Sequence, residues 1–184
     1  MNNESLPSFE DIANELSQPL FGYLVKMTGN TATADDLLQE TLMRIARSLS
    51  KFEGRSKVKN WAYRIATNVT IDFFRKLKNK KFVEFTERDE DINFDEDDKL
   101  VIDEMNECIK KVIDTLPPDY RAVLILNSLQ SKTMVEVAEI CEISLSAAKV
   151  RNHRAKALLK EALNKKCDFY KTAEGSLRCD RKDS

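Results

Sequence analysis

The sequence predicts an all-α protein with two small helical domains joined by an acidic, flexible linker. Hydrophobic residues recur at three- and four-residue steps along most of the chain, which is the period of an amphipathic helix. The 184 residues include only four glycines and four prolines, too few for the turns of an all-β sandwich or barrel. These patterns predict a first domain at 8–80, a linker at 81–99, a second domain at 100–164 and a tail at 165–184.

Three helices are expected in the first domain. The apolar period runs from Phe9 to Met27, where Pro19 is expected to kink or divide the helix. Gly29-Asn30 ends it, and Thr33 is the predicted cap of the second helix. The core positions of that second helix are Leu38, Leu42, Ile45 and Leu49. A third helix begins near Val58, with one apolar side formed by Trp61, Ile65, Val69 and Phe73.

The net charge of −1 conceals a strongly segregated distribution of charge along the chain. Counted by segment, the net charge is −6 over residues 1–40, +10 over 41–81, −10 over 82–107, −1 over 108–143 and +6 over 144–184. One basic segment alone is equally well explained as a solvated helix face. Two such segments, each on a predicted helix, favour a nucleic-acid partner.

The second domain is predicted to contain a helix-turn-helix. Its first helix stops at Pro117-Pro118, and Thr133 with Glu136 fits a capping box that opens a short later helix. A turn at 142–144 follows, in which Ser144 is a suitable cap for a long basic helix. Such a helix places its N-terminal residues against base edges in the major groove. The residues that share this face, here named the recognition face, are Lys149, Val150, His153 and Arg154.

The third helix of the first domain combines cations with aromatic residues, a combination that suits single-stranded or melted DNA. With this third helix, predicted from about Val58, labelled α3, its polar stripe is named the α3 stripe and consists of Lys57, Arg64, Asn68 and Arg75. Trp61 is either a core residue or a stacking platform for a base. Asn68 either binds an extruded base or faces water.

The second helix carries a polar side opposite its apolar stripe. This docking face consists of Asp36, Gln39, Glu40 and Met43, at spacings of 0, 3, 4 and 7. A solvated surface explains the face, and so does a protein-docking surface, because acids are mixed with an exposed methionine. The helical period does not choose between them.

Several motifs in this order resemble the extracytoplasmic-function (ECF) sigma factors of bacterial RNA polymerase. The core-binding segment of that family is similar to Thr28-Gly29-Asn30 with Ala34–Glu40, and its promoter-melting segment to Phe52–Ser56 with Trp61–Asn68 and Asp72. Its −35-reading domain is similar to Leu116-Pro-Pro-Asp-Tyr-Arg121 and Val150-Arg-Asn-His-Arg-Ala-Lys156. The resemblance covers about residues 9–163.

The resemblance implies a non-enzymatic subunit that lends promoter specificity to RNA polymerase. Asp36, Gln39 and Glu40 would dock on the clamp helices of the β′ subunit, and the second domain would also meet the β flap. The implied −10 DNA-binding residues are Phe52, Arg55, Lys57, Trp61, Arg64, Asn68 and Arg75. The implied −35 DNA-binding residues are Lys149, Val150, Arg151, His153 and Arg154. An anti-sigma factor is a further implied partner.

Three positions depart from the family pattern, all within the helix-turn-helix. Glu142 replaces the usual turn glycine, so the turn either avoids the left-handed conformation or strains it. Asn152 replaces an inward leucine and is either a satisfied polar group or a local weakness. Ala147-Ala148 replaces Thr-Val and predicts a lighter contact with the supporting helix.

The tail contains Cys167 and Cys179, and Glu174-Gly175 between them can turn the chain into a hairpin from Phe169-Tyr170 to Ser176–Arg178. The two thiols are candidates for a redox-switchable disulfide or part of a metal site, and an incidental structural tail is the alternative.

No cofactor is expected to be required. The polar, acidic N-terminus and the lack of a long apolar run predict a cytoplasmic protein with no membrane association.

A stand-alone helix-turn-helix regulator is the alternative function, with a first domain that merely dimerises. It leaves the α3 stripe and the docking face without a role. An enzyme is not expected, because the acids concentrate in the linker and no Walker loop, HExxH motif or triad signature occurs.

Overall fold

The computed structural model describes residues 7–78, 107–171 and 177–181, with side chains over 7–78 and 109–165. The predicted linker at 81–99 and the hairpin turn at 174–175 lie outside these residues. The helices are α1 (Phe9–Thr28), α2 (Thr31–Ser48), α3 (Val58–Lys78), α4 (Glu107–Ile113), α5 (Pro118–Ser128), α6 (Met134–Cys141) and α7 (Leu145–Lys166). Two strands follow, β1 (Cys167–Lys171) and β2 (Leu177–Arg181). The predicted all-α fold is confirmed, with this short hairpin as its one strand pair among the described residues.

Helix α1 runs unbroken past Pro19, so the proline does not divide it. Gly29 ends the helix in the left-handed conformation (φ 68°), as predicted. The predicted Thr33 cap of α2 is wrong. The cap is Asn30, whose Oδ1 accepts a 2.8 Å hydrogen bond from the Thr33 backbone N–H, so Thr33 already lies within the first turn.

The apolar stripe of α2 is displaced by one residue from its predicted position. Leu38, Leu42 and Leu49 are only partly buried against the core, while Ile45 is fully buried as expected. The other buried positions are Ala34, Leu37 and Thr41. Thr41 fits this side because its hydroxyl donates a 2.6 Å hydrogen bond to the Leu37 carbonyl, which satisfies the buried polar group.

Local signals in the second domain have their predicted structures. Both hydrogen bonds of the Thr133–Glu136 capping box are present at the start of α6. Ser144 Oγ accepts a 3.1 Å hydrogen bond from the Ala147 N–H and caps α7. Glu142 adopts the left-handed conformation (φ 55°, ψ 42°), so the turn takes the strained alternative rather than avoiding it.

The two domains share one hydrophobic core. Helix α3 packs against α1 and α2 on one side and against α5 and α6 on the other. Arg121 of α5 is 4% exposed and lies at this junction, where its guanidinium donates to the backbone carbonyl oxygens of Met27, Asp114 and Leu116. It also lies 5.0 Å from the centroid of the Phe74 ring. One buried cation therefore joins α1, α3 and α5.

Strands β1 and β2 form the predicted hairpin in antiparallel register. Cys167 is paired with Arg181, and Cys179 is paired with Phe169. Because side-chain direction alternates along a strand, the two cysteine positions lie on one face of the hairpin, two residues out of direct register.

Candidate nucleic-acid interface

The docking face of α2 is open to solvent. Asp36, Gln39 and Met43 are exposed, and Met43 retains 46% of its accessible surface. Glu40 is half-exposed and accepts a 2.7 Å hydrogen bond from Arg44 Nε. This hydrogen bond lowers the pKa of Glu40, so the face keeps its negative charge at neutral pH.

The loop before α3 places its aromatic residue inside the protein rather than outside. Phe52 is buried and packs on Trp61, which is 6% exposed, with 4.8 Å between ring centroids. Of the two interpretations of Trp61, the structure supports the core residue. Arg55 and Lys57 are exposed on this loop, and Arg55 forms a 2.5 Å ion pair with Glu53.

The middle of the α3 stripe contacts the second domain but stays accessible to solvent, since Asn68 is exposed and Arg64 is partly exposed. Asn68 Nδ2 donates a 3.1 Å hydrogen bond to Glu142 Oε2, and Arg64 Nη1 lies 3.7 Å from Glu142 Oε1. Arg75 lies at the exposed end of α3 and forms a 2.9 Å ion pair with Asp72. The centre of the stripe is therefore hydrogen-bonded to the second domain without being buried by it.

The sequence did not indicate a polar cluster that joins α3 to the second domain. Lys132 is 9% exposed, and its Nζ donates a 3.1 Å hydrogen bond to Asn60 Oδ1. Asn60 Nδ2 in turn donates a 3.0 Å hydrogen bond to Glu139 Oε2, and Lys132 Nζ lies 5.0 Å from the Tyr63 ring centroid. Burial lowers the pKa of Lys132. The only sequence signal for this cluster is an asparagine inside an apolar helix face.

The recognition face at the start of α7 is accessible. Lys149 and Val150 are exposed, and Arg151, His153 and Arg154 are partly exposed. Ala148 is fully buried beneath them, while Ala147 is exposed. The five residues implied for −35 DNA therefore lie within the first three turns of one capped helix.

Asn152 is a half-satisfied polar group on the inner side of α7. Its Nδ2 donates a 3.2 Å hydrogen bond to Asn127 Oδ1, while its own buried Oδ1 has no partner. The sequence allowed either a satisfied polar group or a local weakness, and the Asn152 side chain is partly each. The unpaired oxygen is a local cost to the packing of α7 on α5.

Cys141 is a core thiol rather than a reactive one. It packs against the hydrophobic core, and burial raises the pKa of its thiol to about 12. Among the residues with described side chains, no group of three or more His, Cys, Asp or Glu could hold a metal ion. None of the described helices has the length and apolar character that a membrane span requires.

Comparison with known proteins identifies the class. Residues 12–80 match the family Sigma-70 region 2, and residues 106–159 match the family Sigma-70, region 4. The chain is 31% identical to the RNA polymerase sigma factor SigZ of Bacillus subtilis over 174 residues, which covers 92% of this chain and 95% of that protein. It is also 31% identical to the ECF RNA polymerase sigma factor SigX of the same organism, over 84% of this chain and 82% of that protein.

Solved structures show the same fold. The sigma factor RpoE of Bartonella quintana, solved in complex with the anti-sigma factor NepR, superposes with a TM-score of 0.63 at 23% identity, covering 85% of this chain and 96% of that chain. CnrH, solved in complex with the cytosolic domain of CnrY, has a TM-score of 0.61 at 18% identity, covering 85% and 88%.

The chain belongs to the ECF sigma factors of bacterial RNA polymerase. It directs promoter-specific transcription initiation and is a DNA-recognition subunit, not an enzyme. The alternative of a stand-alone regulator is not supported, because the first domain itself matches sigma region 2.

Proposed function

We propose that three surfaces of the chain have separate binding roles in transcription initiation. The docking face of α2 binds the clamp helices of the polymerase β′ subunit. The α3 stripe and the loop at 52–58 take the melted non-template strand of the −10 element. The recognition face of α7 reads the −35 duplex, while the second domain also meets the β flap.

The observation that carries this proposal is the exposure of the docking face on a helix that is otherwise packed. Asp36, Gln39 and Met43 remain exposed although α2 packs against both α1 and α3. A surface methionine among acids offers both apolar area and charge to a partner, as protein interfaces do. The hydrogen bond from Arg44 lowers the pKa of Glu40, so the Glu40 carboxylate adds negative charge to this face.

The proposed DNA contacts are supported by the chemistry of each face. Lys149, Arg151 and Arg154 are donors for guanine edges or phosphates, and Val150 can contact a thymine methyl group. On α3, Arg64 and Asn68 are donors for the acceptors of an unpaired base or of the backbone. The duplex readers and the single-strand readers thus lie on separate helices.

The test is run-off transcription with purified core polymerase and a genomic promoter library. We expect initiation that depends on the full chain, and Arg154→Ala to lower run-off product by about tenfold, the discrimination of one good base contact. Lys165→Ala removes a cation from the exposed far end of the same helix and should leave output unchanged. Equal losses in both variants would contradict the −35 assignment.

The docking face has a separate test that needs no promoter. Asp36→Arg should weaken binding to core polymerase in a fluorescence anisotropy titration by about tenfold, because like or mismatched charge at an interface is costly. Glu15→Arg places the same charge change at an exposed position of α1 and serves as the matched control. If the two variants bind core equally well, the α2 face is not the docking surface.

The protein is proposed to act in the cytoplasm, where RNA polymerase works.

An anti-sigma factor is a further proposed partner. Support comes from the RpoE structure, which was solved with such a factor. The test is affinity purification of the full chain from unstressed cells. A co-purifying polypeptide that blocks run-off transcription supports the proposal, and recovery of polymerase subunits alone counts against it.

For the tail, we propose that Cys167 and Cys179 act together as a metal- or oxidant-responsive thiol pair. Support comes from their positions on one face of the hairpin. Their diagonal register corresponds to a Cα separation of roughly 7–8 Å, longer than a disulfide prefers, so oxidation would require the strands to slide or bend. Replacing both cysteines by serine should abolish any change of run-off output caused by Zn²⁺ or peroxide. Unchanged responses would exclude this role.

A further inference from the structure

A pair of asparagines joins α7 to α5 beneath the recognition face. Asn152 lies on the inner side of α7, is 9% exposed, and donates a 3.2 Å hydrogen bond from its Nδ2 to Asn127 Oδ1. Asn127 Nδ2 in turn donates a 2.9 Å hydrogen bond to the backbone carbonyl oxygen of Lys132. Two side-chain amides therefore tie the first half of α7 to the end of α5 and to the segment that leads into α6.

Apolar packing gives little orientation to this half of α7. The inner residues on either side of Asn152 are Ala148 and Ala155, both fully buried, whereas the large side chains of Leu159 and Leu163 are buried further along the helix. An alanine presents no long side chain to interlock with a facing helix, so rotation of α7 about its axis meets little resistance there. A hydrogen bond is directional, and one buried asparagine can fix the register of packed helices at a cost in stability.

That cost is present at Asn152. Its Oδ1 is buried without a hydrogen-bond partner among the described residues, and an unpaired buried oxygen disfavours the folded state. An apolar side chain at this inner position of α7 would avoid the cost. The chain therefore has a polar group where packing alone favours an apolar one, which indicates a role other than stability.

We propose that Asn152, held by Asn127, is a positioning residue for −35 specificity. It fixes the rotation of α7 on α5 and so decides which base edges the recognition face meets. A helix rotation of roughly 10° moves a side chain that lies about 5–6 Å from the axis by about 1 Å. Hydrogen bonds to base edges tolerate less than this, since their donor–acceptor distances fall within about 2.7–3.2 Å. This inference rests on the proposed reading of the −35 duplex by α7.

The experiment measures base preference with holoenzyme reconstituted from core polymerase and the full chain. A promoter recovered with the wild-type chain from the run-off library is rebuilt as two template pools, one with a randomised −35 element and one with a randomised −10 element. A barcode downstream of the start site identifies each template among the transcripts. Preference is a ratio between templates for one protein, so a variant with less folded protein changes the total transcript and not the preference.

Asn152→Leu replaces the amide by an apolar side chain. We expect its preference for the wild-type base to fall about tenfold at one or more −35 positions, the discrimination of one good base contact, while its −10 preference matches the wild type. Asn164→Leu makes the same substitution at an exposed position of α7 and should keep both preferences. Unchanged −35 preference in Asn152→Leu, a parallel loss of its −10 preference, or an equal loss in Asn164→Leu would overturn the positioning role.

A second pair of variants tests the hydrogen bond itself. Asn127→Asp keeps an acceptor for Asn152 Nδ2 and should retain the wild-type −35 preference. Asn127→Leu removes that acceptor and should reproduce the loss expected for Asn152→Leu. Equal preference in the two Asn127 variants would overturn orientation of α7 by this hydrogen bond.

Arg154→Ala in the same pools separates this result from the proposed function of α7. Reduced −35 preference with Arg154→Ala and full preference with Asn152→Leu would overturn the positioning role alone. Unchanged −35 preference with Arg154→Ala, or no −35 preference in the wild type, would instead overturn the assignment of α7 as the −35 reader.

Discussion

Helices α2 and α3 lie side by side in the first domain, and each carries a polar side that the sequence marks for binding. Helix α2 buries one stripe and leaves its docking face in solvent. Helix α3 buries residues on almost every side of its first half, because α5 and α6 cover what α1 and α2 leave free. The polar side of α2 thus has no contact with the second domain described above, whereas the polar side of α3 is hydrogen-bonded to that domain.

The difference teaches that an exposed-looking polar stripe can be a contact between domains. Asn60 and Asn68 are poor helix formers in the interior of α3. The structure gives both of them hydrogen-bond partners from the second domain, and Asn60 is buried there while Asn68 stays exposed. The following predictions test this contrast, from the largest expected effect to the smallest.

The strongest contrast is between an aromatic residue of α3 and the methionine of α2. Trp61→Ala should lower the free energy of unfolding by about 3–5 kcal/mol, because it leaves a cavity beside Phe52. Met43→Ala should change it by less than about 0.5 kcal/mol, because Met43 is exposed. Urea unfolding followed by circular dichroism measures both, since Trp61 is the only tryptophan. Similar midpoints would mean that α3 is not the buried helix.

The packing of α5 against α1 and α3 depends on Arg121. Arg121→Met should cost about 2–4 kcal/mol, because the carbonyl oxygens of Met27, Asp114 and Leu116 lose their buried donor. Arg75→Met removes an exposed cation from α3 and should cost less than about 0.5 kcal/mol. Thermal unfolding of the two variants compares them directly. A mild effect at Arg121 would argue that α5 does not anchor the domains.

Two glycines at α1 offer a matched pair. Gly29→Ala should destabilise by about 1–2 kcal/mol, because Gly29 has positive φ and a methyl group there would collide with the Asp114 carboxylate of the second domain. Gly22→Ala has open space around it inside the helix and should stabilise by roughly 0.5–1 kcal/mol. Opposite shifts in urea midpoint are the expected result, and shifts of the same sign would contradict it.

The smallest effect concerns alkaline pH. Burial raises the pKa of Cys141 to about 12 from its ordinary value near 9.0. The unfolded chain therefore loses this proton first, and the stabilising contribution declines as pH rises above about 9. At pH 10 the loss should be about 1 kcal/mol. Urea unfolding under reducing conditions at pH 8 and pH 10 should give a smaller decline for Cys141→Ala than for the wild type. Identical declines would mean that the Cys141 thiol is exposed to solvent in the folded protein.

The parts of the fold that the sequence predicted well depend on neighbours within a few residues. The Thr133–Glu136 capping box, the Ser144 cap and the Gly29 helix end each occur where the pattern indicates. The start of α3 at Val58 and the tail hairpin were also predicted. The caps and helix ends among these features are decided by side chains and backbone groups one turn apart.

Predictions failed where adjacent residues offered competing solutions. Asn30 and Thr33 are both suitable cap residues, and the structure uses Asn30. In α2 two stripes of helical spacing lie one residue apart, and packing against α1 and α3 selects the one that contains Leu37 rather than Leu38. Spacing alone ranks such alternatives equally.

The sequence by itself determined the helices, their polar faces and the family, because helical period, caps and motifs are written in consecutive residues. Only the tertiary structure decided which faces remain open. Asn60 meets Lys132 and Glu139, which lie 72 and 79 residues further along the chain. A contact between residues so far apart leaves no trace in the helical period, since each helix satisfies its own pattern whether or not the second domain covers it.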